Sequence, residues 1–289
     1  PPPNRNEVHS AAAAAAAVTV VWQQQQGVIV TSLVRLETNE IIGLPARSLL
    51  LGRYNTGRTL GQITSGLQLT SSRLMTWGHS DNSLHSHVPS EADTDLQISA
   101  NILAWDPIVS GASHPRVSSV WLGHQSGMVS VYGLSSPGLA TPGSLHGHTD
   151  LVTSISLCPE FGVAVTSSQD RSVSTWDLHS QHFLHSVTVD SRGHGPVFSA
   201  MSGKSGDIAV AAETSVFLFS INLTPVTSCN VGDRVSAVTF SNEEEGISIN
   251  CVAVGLVTGQ VKLLSGLDLK QLRVLTLGPA SPVSCLVYS

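Results

Sequence analysis

Residues 145–178 read LHGHTDLVTSISLCPEFGVAVTSSQDRSVSTWDL. Three short runs rich in apolar and β-branched residues, VTSISL, FGVAVTSS and RSVSTWDL, are separated by Cys-Pro-Glu and by Gln169-Asp170. Runs of this length between turn-forming residues read as β-strands. Gly147-His148 precedes the first strand, Asp170 sits in the second turn, and Trp176-Asp177 ends the third strand. If Trp176 marks the end of a third strand, equivalent positions fall at His87, Tyr132, Phe219 and Leu264, in steps of 45, 44, 43 and 45 residues. The first-strand pattern around Leu157-Cys158-Pro159-Glu160 is matched with Trp105-Asp106-Pro107, Phe240-Ser241-Asn242-Glu243 and Val287-Tyr288-Ser289.

Gly-His, strand, strand, aspartate turn, strand and Trp-Asp at a period of about 40 to 45 residues is the pattern of a WD40 unit, one four-stranded blade of a β-propeller. The expected fold is therefore all-β, a WD40-type propeller. Val283 to Tyr288 reads as the first strand of a further blade, after which the sequence stops. Seven blades at this period need roughly 300 residues of repeat, so an incomplete seven-bladed ring with a bare sheet edge is expected. Residues 1–17 are low complexity, 18–74 are divergent first strands, and 75–289 carry the repeats.

Only 12% of the 289 residues are charged, 41% are hydrophobic, and the net charge is -6. No basic run could neutralise a row of phosphates, which argues against nucleic acid as a partner. Mean hydropathy is +0.17, yet the longest uncharged apolar run, Ala11 to Trp22, is shorter than the roughly 20 residues of a spanning helix. Cys158, Cys229, Cys251 and Cys285 lie 71, 22 and 34 residues apart. That spacing suits free buried thiols in a reducing compartment better than a zinc or redox site.

The unit at 145–178 resembles a WD40 blade closely enough to imply that family's buried hydrogen-bond chain. Its members here are His148, Thr166 or Ser168, Asp170 and Trp176, with Asp177 counted beside them. Buried polar groups require such partners, so the chain is structural. Asp81 keeps the turn position in an earlier repeat, while Ser126, Glu213 and Thr258 replace it elsewhere. Those blades are expected to be held mainly by packing.

Other chemistry finds little footing. His179, His182 and His185 would share a helix face, but on a strand residues three apart point to opposite faces, so no metal is expected. His85 and His87 share a strand face with no third ligand in evidence. Gly203-Lys204-Ser205 copies the end of a phosphate loop, but Phe198 stands where the first glycine belongs. In Gly123-His124-Gln125-Ser126-Gly127 the serine lies one place too late for a nucleophile elbow. Glu243, Glu244 and Glu245 read as a solvated turn rather than a docking patch. No catalytic residue, metal or cofactor is expected.

Several segments resemble the C-terminal propeller of BEACH-domain proteins: TWGHSDNSL (76–84), LHGHTDLVTSISLC (145–158), SQDRSVSTWDL (168–178), SGDIAV (205–210) and FSNEEEGISINCVAVGLVTGQVKLLSGLDL (240–269). The resemblance implies a large cytoplasmic scaffold with a BEACH domain upstream of this chain, peripherally associated with endolysosomal membranes. Its partners would be proteins of endolysosomal trafficking, and its role would concern the size, fission or fusion of lysosomes and related granules. Two other classes are weighed against this: a WD40 adaptor such as a ubiquitin-ligase substrate receptor, and an enzymatic propeller with a metal on His179, His182 and His185.

Overall fold

The computed structural model describes the backbone of the strands between residues 18 and 103. From 106 to 288 it describes all residues except 115, 135–142, 190–194, 242–249, 277–281 and 284–285, with backbone alone at 287 and 288. Asp81, Cys285 and the Glu243–Glu245 cluster lie outside the described residues, as do the side chains of His85 and His87.

Five short strands come first: β1 (Val18–Val20), the pair β2 (Trp22–Gln24) and β3 (Val28–Val30), and the pair β4 (Ser32–Arg35) and β5 (Glu40–Gly43). Five antiparallel four-stranded sheets follow, each ordered as in the chain. The first holds β6 (Ser65–Thr70), β7 (Arg73–Trp77), β8 (Ser83–Pro89) and β9 (Leu96–Leu103). In the second are β10 (Ile108–Ser113), β11 (Ser119–His124), β12 (Val129–Gly133) and β13 (Gly143–Leu145). The third contains β14 (Val152–Cys158), β15 (Val163–Ser168), β16 (Ser172–Asp177) and β17 (Phe183–Thr188). The fourth has β18 (Val197–Met201), β19 (Ile208–Ala212), β20 (Ser215–Phe219) and β21 (Pro225–Asn230). The fifth comprises β22 (Val235–Phe240), β23 (Cys251–Leu256), β24 (Gln260–Ser265) and β25 (Gln271–Thr276). A last strand, β26 (Leu286–Tyr288), pairs with β1.

Burial explains why these sequences form blades. Second strands are buried along their whole length in β15 (VAVTSS), β19 (IAVAA) and β23 (CVAVGL). Small and β-branched residues on both faces allow a sheet to pack on each side. The outer strands β17, β21 and β25 are mostly exposed. Apolar clusters fill the seams, Trp121 and Val152 with Trp176 at one, Val165 with Val210 at the next, Ala211 with Val254 at a third.

The repeat position set by Trp176 has a physical mark. Pairing to the outer strand shifts register between Ser86 and His87, Thr175 and Trp176, Leu218 and Phe219, and Leu263 and Leu264. A bulge re-aims the side chain that follows, and Trp176, Phe219 and Leu264 are all buried.

One alignment needs correction. Trp105-Asp106-Pro107 does not end a first strand. It precedes β10, which runs from Ile108 to Ser113 and is followed by His114. A short Pro match sets it too early, and His114 holds the place that Cys158 holds in the next blade.

Hydroxyl groups on first strands stitch neighbouring blades. Ser110 O–H donates to the Val152 carbonyl at 2.7 Å, Thr153 O–H to the Val197 carbonyl, and Ser236 O–H to the Val283 carbonyl at 2.7 Å. Val152 and Val197 begin β14 and β18, so Val283 takes the same place at the start of a sixth unit. Val283 and Leu286 pack on Ala237, Cys251, Ala253 and Val261. β26 is not bare, since Val18, Thr19 and Val20 pair with Tyr288, Val287 and Leu286.

Candidate functional site

In the third blade, Gly147-His148 enters from the loop before β14, and the Asp170 turn joins β15 to β16. Trp176 Nε1–H donates to Thr166 Oγ1 at 2.9 Å, and Thr166 O–H donates to His148 Nε2 at 2.7 Å. His148 Nδ1–H then donates to Ser172 Oγ at 2.6 Å, and Ser172 O–H to Asp170 Oδ1 at 2.5 Å. Because the Ser172 O–H goes to Asp170, its oxygen accepts from Nδ1–H, and the Thr166 O–H, which also lies 3.5 Å from the Ser174 carbonyl, takes the nearer Nε2 of the neutral imidazole. Asp170 also accepts the Thr149 N–H at 2.7 Å and the Ser172 N–H at 2.8 Å, tying loop to turn. Burial lowers the His148 pKa below 6.5 despite the nearby Asp170 carboxylate. Burial pushes the Asp170 carboxyl up, but hydrogen bonds from Ser172 and Thr149 outweigh it and hold the group below the usual range.

Of the residues singled out in the sequence, His148, Thr166, Asp170 and Trp176 lie in this chain. Ser168 does not take the indole. Its O–H donates to the Asp150 carbonyl at 2.8 Å, and its oxygen accepts the Asp170 N–H. Asp177 lies outside the buried chain and organises the following turn, accepting the Ser180 N–H at 2.6 Å and the His179 N–H at 3.1 Å. Ser172, the link between imidazole and carboxylate, was missed; its place two residues after the turn aspartate is the signal that could have found it. Gly147 has a steric reason, because a Cβ there would lie 3.0 Å from the Trp176 ring.

The second blade is not held by packing alone. Leu122 faces Ser130 in β11–β12 as Thr166 faces Ser174 in β15–β16, so the strand carries no hydroxyl for an indole and Tyr132 stands at the Trp position. A second network instead joins an aspartate before the first strand to a histidine at the end of the second. Asp106 comes from the loop before β10, and its carboxylate accepts the Ser126 O–H and, at 3.3 Å, the Ser126 N–H. His124, at the end of β11, donates Nδ1–H to the Asp106 carbonyl at 3.0 Å and accepts Ser130 O–H at Nε2. Burial lowers the His124 pKa, with the Asp106 carbonyl and carboxylate opposing. Ser130, His124 and Asp106 follow the order of a nucleophilic triad, but Ser130 is 3% exposed and His124 2%. A hydroxyl shut between strands cannot meet a substrate, so the arrangement is structural. In the fourth blade Glu213 fills the turn, accepting the Gly195 N–H at 2.6 Å and pairing with Arg234 at 3.4 Å.

Other motifs resolve as local turns. Lys204 and Ser205 both give their N–H groups to Ser202 Oγ at 3.2 Å, and Gly206 N–H goes to the Ser202 carbonyl. Those amides point inward and form no phosphate cradle. His179 and His182 sit in a turn and His185 on β17, all exposed, and no cluster of three His, Cys, Asp or Glu suited to a metal occurs among the described residues. Cys158 and Cys251 are buried free thiols and Cys229 is half-buried. Burial pushes the thiol pKa of Cys158 and Cys229 up, which suppresses thiolate reactivity.

Consecutive antiparallel four-stranded blades, a Trp-Asp repeat and its histidine–aspartate chain define a WD40-type β-propeller. Solved structures agree on the fold: Saccharomyces cerevisiae Sqt1 (TM-score 0.60, 15% identity, 74% of this chain and 63% of that one) and the WD40 propeller domain of Doa1 (0.61, 14%, 78% and 71%). Chaetomium thermophilum Sqt1, solved with the N-terminus of ribosomal protein L10, gives 0.61 at 20% identity, over 74% of this chain and 61% of that one. No family model matches the chain. Among curated proteins, the human lysosomal-trafficking regulator is 28% identical over 274 residues, 89% of this chain and 7% of that protein. Mouse WD repeat- and FYVE domain-containing protein 4 is 29% identical over 163 residues, 54% of this chain and 5% of its own length. Protein SPIRRIG of Arabidopsis thaliana is 26% identical over 203 residues, 66% and 6%. The chain is similar to these three proteins and spans 7% or less of their length.

Proposed function

We propose that this chain is a non-catalytic protein-interaction scaffold, the WD40 part of a BEACH–WD40 protein that regulates the trafficking and size of lysosomes and lysosome-related organelles. The observation that carries this reading is the similarity to the human lysosomal-trafficking regulator along 89% of the chain. The blades support it physically: rigid sheets hold turns at both ends of every strand, where partner-binding residues are free to vary. That Sqt1 is seen with a ribosomal protein's N-terminus shows that this fold can take a peptide partner. Work at the cytoplasmic surface of endolysosomal membranes, through trafficking proteins and without insertion, fits the same relatives. Among the described residues no helix is long and apolar enough to cross a membrane.

The test combines proximity labelling by the tagged protein in cells with measurement of lysosome size after its removal. Enrichment of endolysosomal trafficking proteins and a change in lysosome size are expected. Recovery of ubiquitin-ligase subunits in their place, with lysosomes unaltered, would establish the substrate-receptor alternative.

A further inference from the structure

Each four-stranded sheet ends on its fourth strand, whose outer edge has no strand beside it among the described residues. Four of these edges are described with their side chains: β13 (GSL), β17 (FLHSVT), β21 (PVTSCN) and β25 (QLRVLT). Among them only β25 carries a Lys, Arg, Asp or Glu, and that residue is Arg273. It stands between two exposed aliphatic residues, Leu272 at 49% and Val274 at 40%.

The register places Arg273 opposite Leu263, which packs with Leu275 against the cluster of Val261, Val283 and Leu286. Val274 lies opposite Lys262, whose ammonium group donates to the Val231 carbonyl of the preceding blade at 2.7 Å. Strands β24 and β25 hold these two cations and no acid. Lys270, in the turn before β25, is already paired with Asp268 at 2.6 Å. Among the described residues no carboxylate meets Arg273 or Lys262. In a chain of net charge -6, this one edge is positive, and it is positive where another strand would add.

An open edge with exposed aliphatic side chains is a template for a further strand, and the charge on it decides which strand. A second copy adding its own β25 in antiparallel register, 272 against 274, would set Arg273 directly opposite Arg273, and like charges so placed are destabilising. A strand that brings a carboxylate to that position is stabilised instead. We infer that the edge of β25 docks an extended segment of a partner protein, an acidic residue flanked by aliphatic ones, which adds to the blade as a fifth strand with its carboxylate opposite Arg273. Main-chain hydrogen bonds give such pairing its affinity and the alternating side chains its selectivity. The inference rests on the scaffold reading and names the chemistry by which one partner is recognised.

The test is a fluorescence-anisotropy titration of the protein with three labelled, end-capped peptides: Ser-Thr-Val-Glu-Val-Thr-Ser, the same sequence with Lys in place of Glu, and Ser-Thr-Pro-Glu-Pro-Thr-Ser, which keeps the acid but loses two backbone donors. The Val-Glu-Val peptide should bind about tenfold or more tightly than either of the others. Its advantage over the Lys peptide should vanish in Arg273→Gln, reverse in Arg273→Glu and persist in Ser228→Glu on β21, all with unchanged circular-dichroism melts. Amide hydrogen exchange of residues 271–276 should slow when it binds. Equal binding of all three peptides, a proline peptide as tight as the Val-Glu-Val one, or a charge preference that survives Arg273→Gln overturns the assignment. So does a dimer in size-exclusion chromatography whose residues 271–276 are protected from exchange without peptide, because the edge would then belong to a second copy. A protein that labels trafficking partners in cells yet shows no peptide preference loses this site and keeps the scaffold reading. One that labels none loses the scaffold reading whatever the peptides do.

Discussion

The Trp176 indole and the His148 imidazole meet on one oxygen: Thr166 Oγ1 accepts from Nε1 at 2.9 Å and donates to Nε2 at 2.7 Å. One hydroxyl in the second strand thereby joins the end of the third strand to the loop that enters the blade. Through Ser172 the same chain reaches the Asp170 turn.

Thr166→Val keeps the shape of this residue and removes its hydroxyl. Two buried groups, the indole N–H and the imidazole nitrogen, lose their partner at about 1–3 kcal/mol each. A fall in Tm of several degrees is expected by differential scanning calorimetry. Ser168→Ala should cost less, about 1 kcal/mol, because that hydroxyl bonds a loop carbonyl outside the chain. Trp176→Phe and Asp170→Ala should each destabilise as well, and equal melting of all four variants and wild type would remove the network's role.

Stability should fall in mild acid. Burial lowers the pKa of both His124 and His148 below 6.5 in the folded protein. The unfolded chain therefore binds more protons in this window, and stability rises with pH there. Their contribution is complete above about pH 6.5 and is lost as pH drops through the folded values. Asp170, also lowered, adds a loss of the same sign in more acid solution. Thermal melts from pH 7.5 to 5 should show a falling Tm, and a His124→Gln, His148→Gln double variant should start lower and show a flatter profile. A wild-type Tm constant over that range contradicts the buried neutral assignment.

Ser126→Asp separates the sequence pattern from the structure. By the repeat, aspartate belongs at this turn and should stabilise it. In the fold Ser126 O–H donates to the Asp106 carboxylate, so the substitution sets an exposed carboxylate against the buried one of Asp106 and removes its hydrogen bond. A loss on the order of 2 kcal/mol is expected, as for leaving a buried charged group without its hydrogen bond. Combining it with Asp106→Asn should recover part of that loss. Equilibrium urea unfolding of the single and double variants measures both effects.

Legibility followed how local the signal was. Trp176, Asp170 and His148 stand at repeat positions within one blade, so the resemblance to a WD40 unit carries their network with it. The His124–Asp106 network could not be found that way, because by strand register His124 matches Ser168 of the third blade and Asp106 matches Asp150, neither of them a position of the histidine–aspartate chain. Asp106 was also drawn into a first strand by its neighbour Pro107. Ser172 and Ser130 are among many serines in strands, and only geometry shows which of them face an imidazole. The pairing of Val18 with Tyr288 joins opposite ends of the sequence, and no periodic pattern specifies such a contact. Gly203-Lys204-Ser205 is rejected from sequence for want of the first glycine, and its amides are turned inward by Ser202.

The seam that begins the sixth unit rests on a close approach between Gly255 and Val283. A Cβ at Gly255 would lie 2.6 Å from Val283 Cγ1, while the Val283 carbonyl accepts the Ser236 O–H at 2.7 Å. Gly255→Ala should therefore overpack the seam at about 1–3 kcal/mol. Val283→Ala alone should also destabilise, on the order of 2 kcal/mol, by removing carbon from a buried cluster with Ala253 and Val261. The double variant should be somewhat more stable than the sum of the two losses, because alanine removes the Cγ1 contact, while the Cβ of residue 283, at 2.7 Å from the new methyl group, keeps part of the overpacking. A favourable coupling of about 1 kcal/mol in a double-mutant cycle is the expected reading. Additive losses would mean that Val283 Cγ1 is not what a methyl group at residue 255 meets, and a Gly255→Ala variant as stable as wild type would mean that residue 283 does not lean on β23 at all.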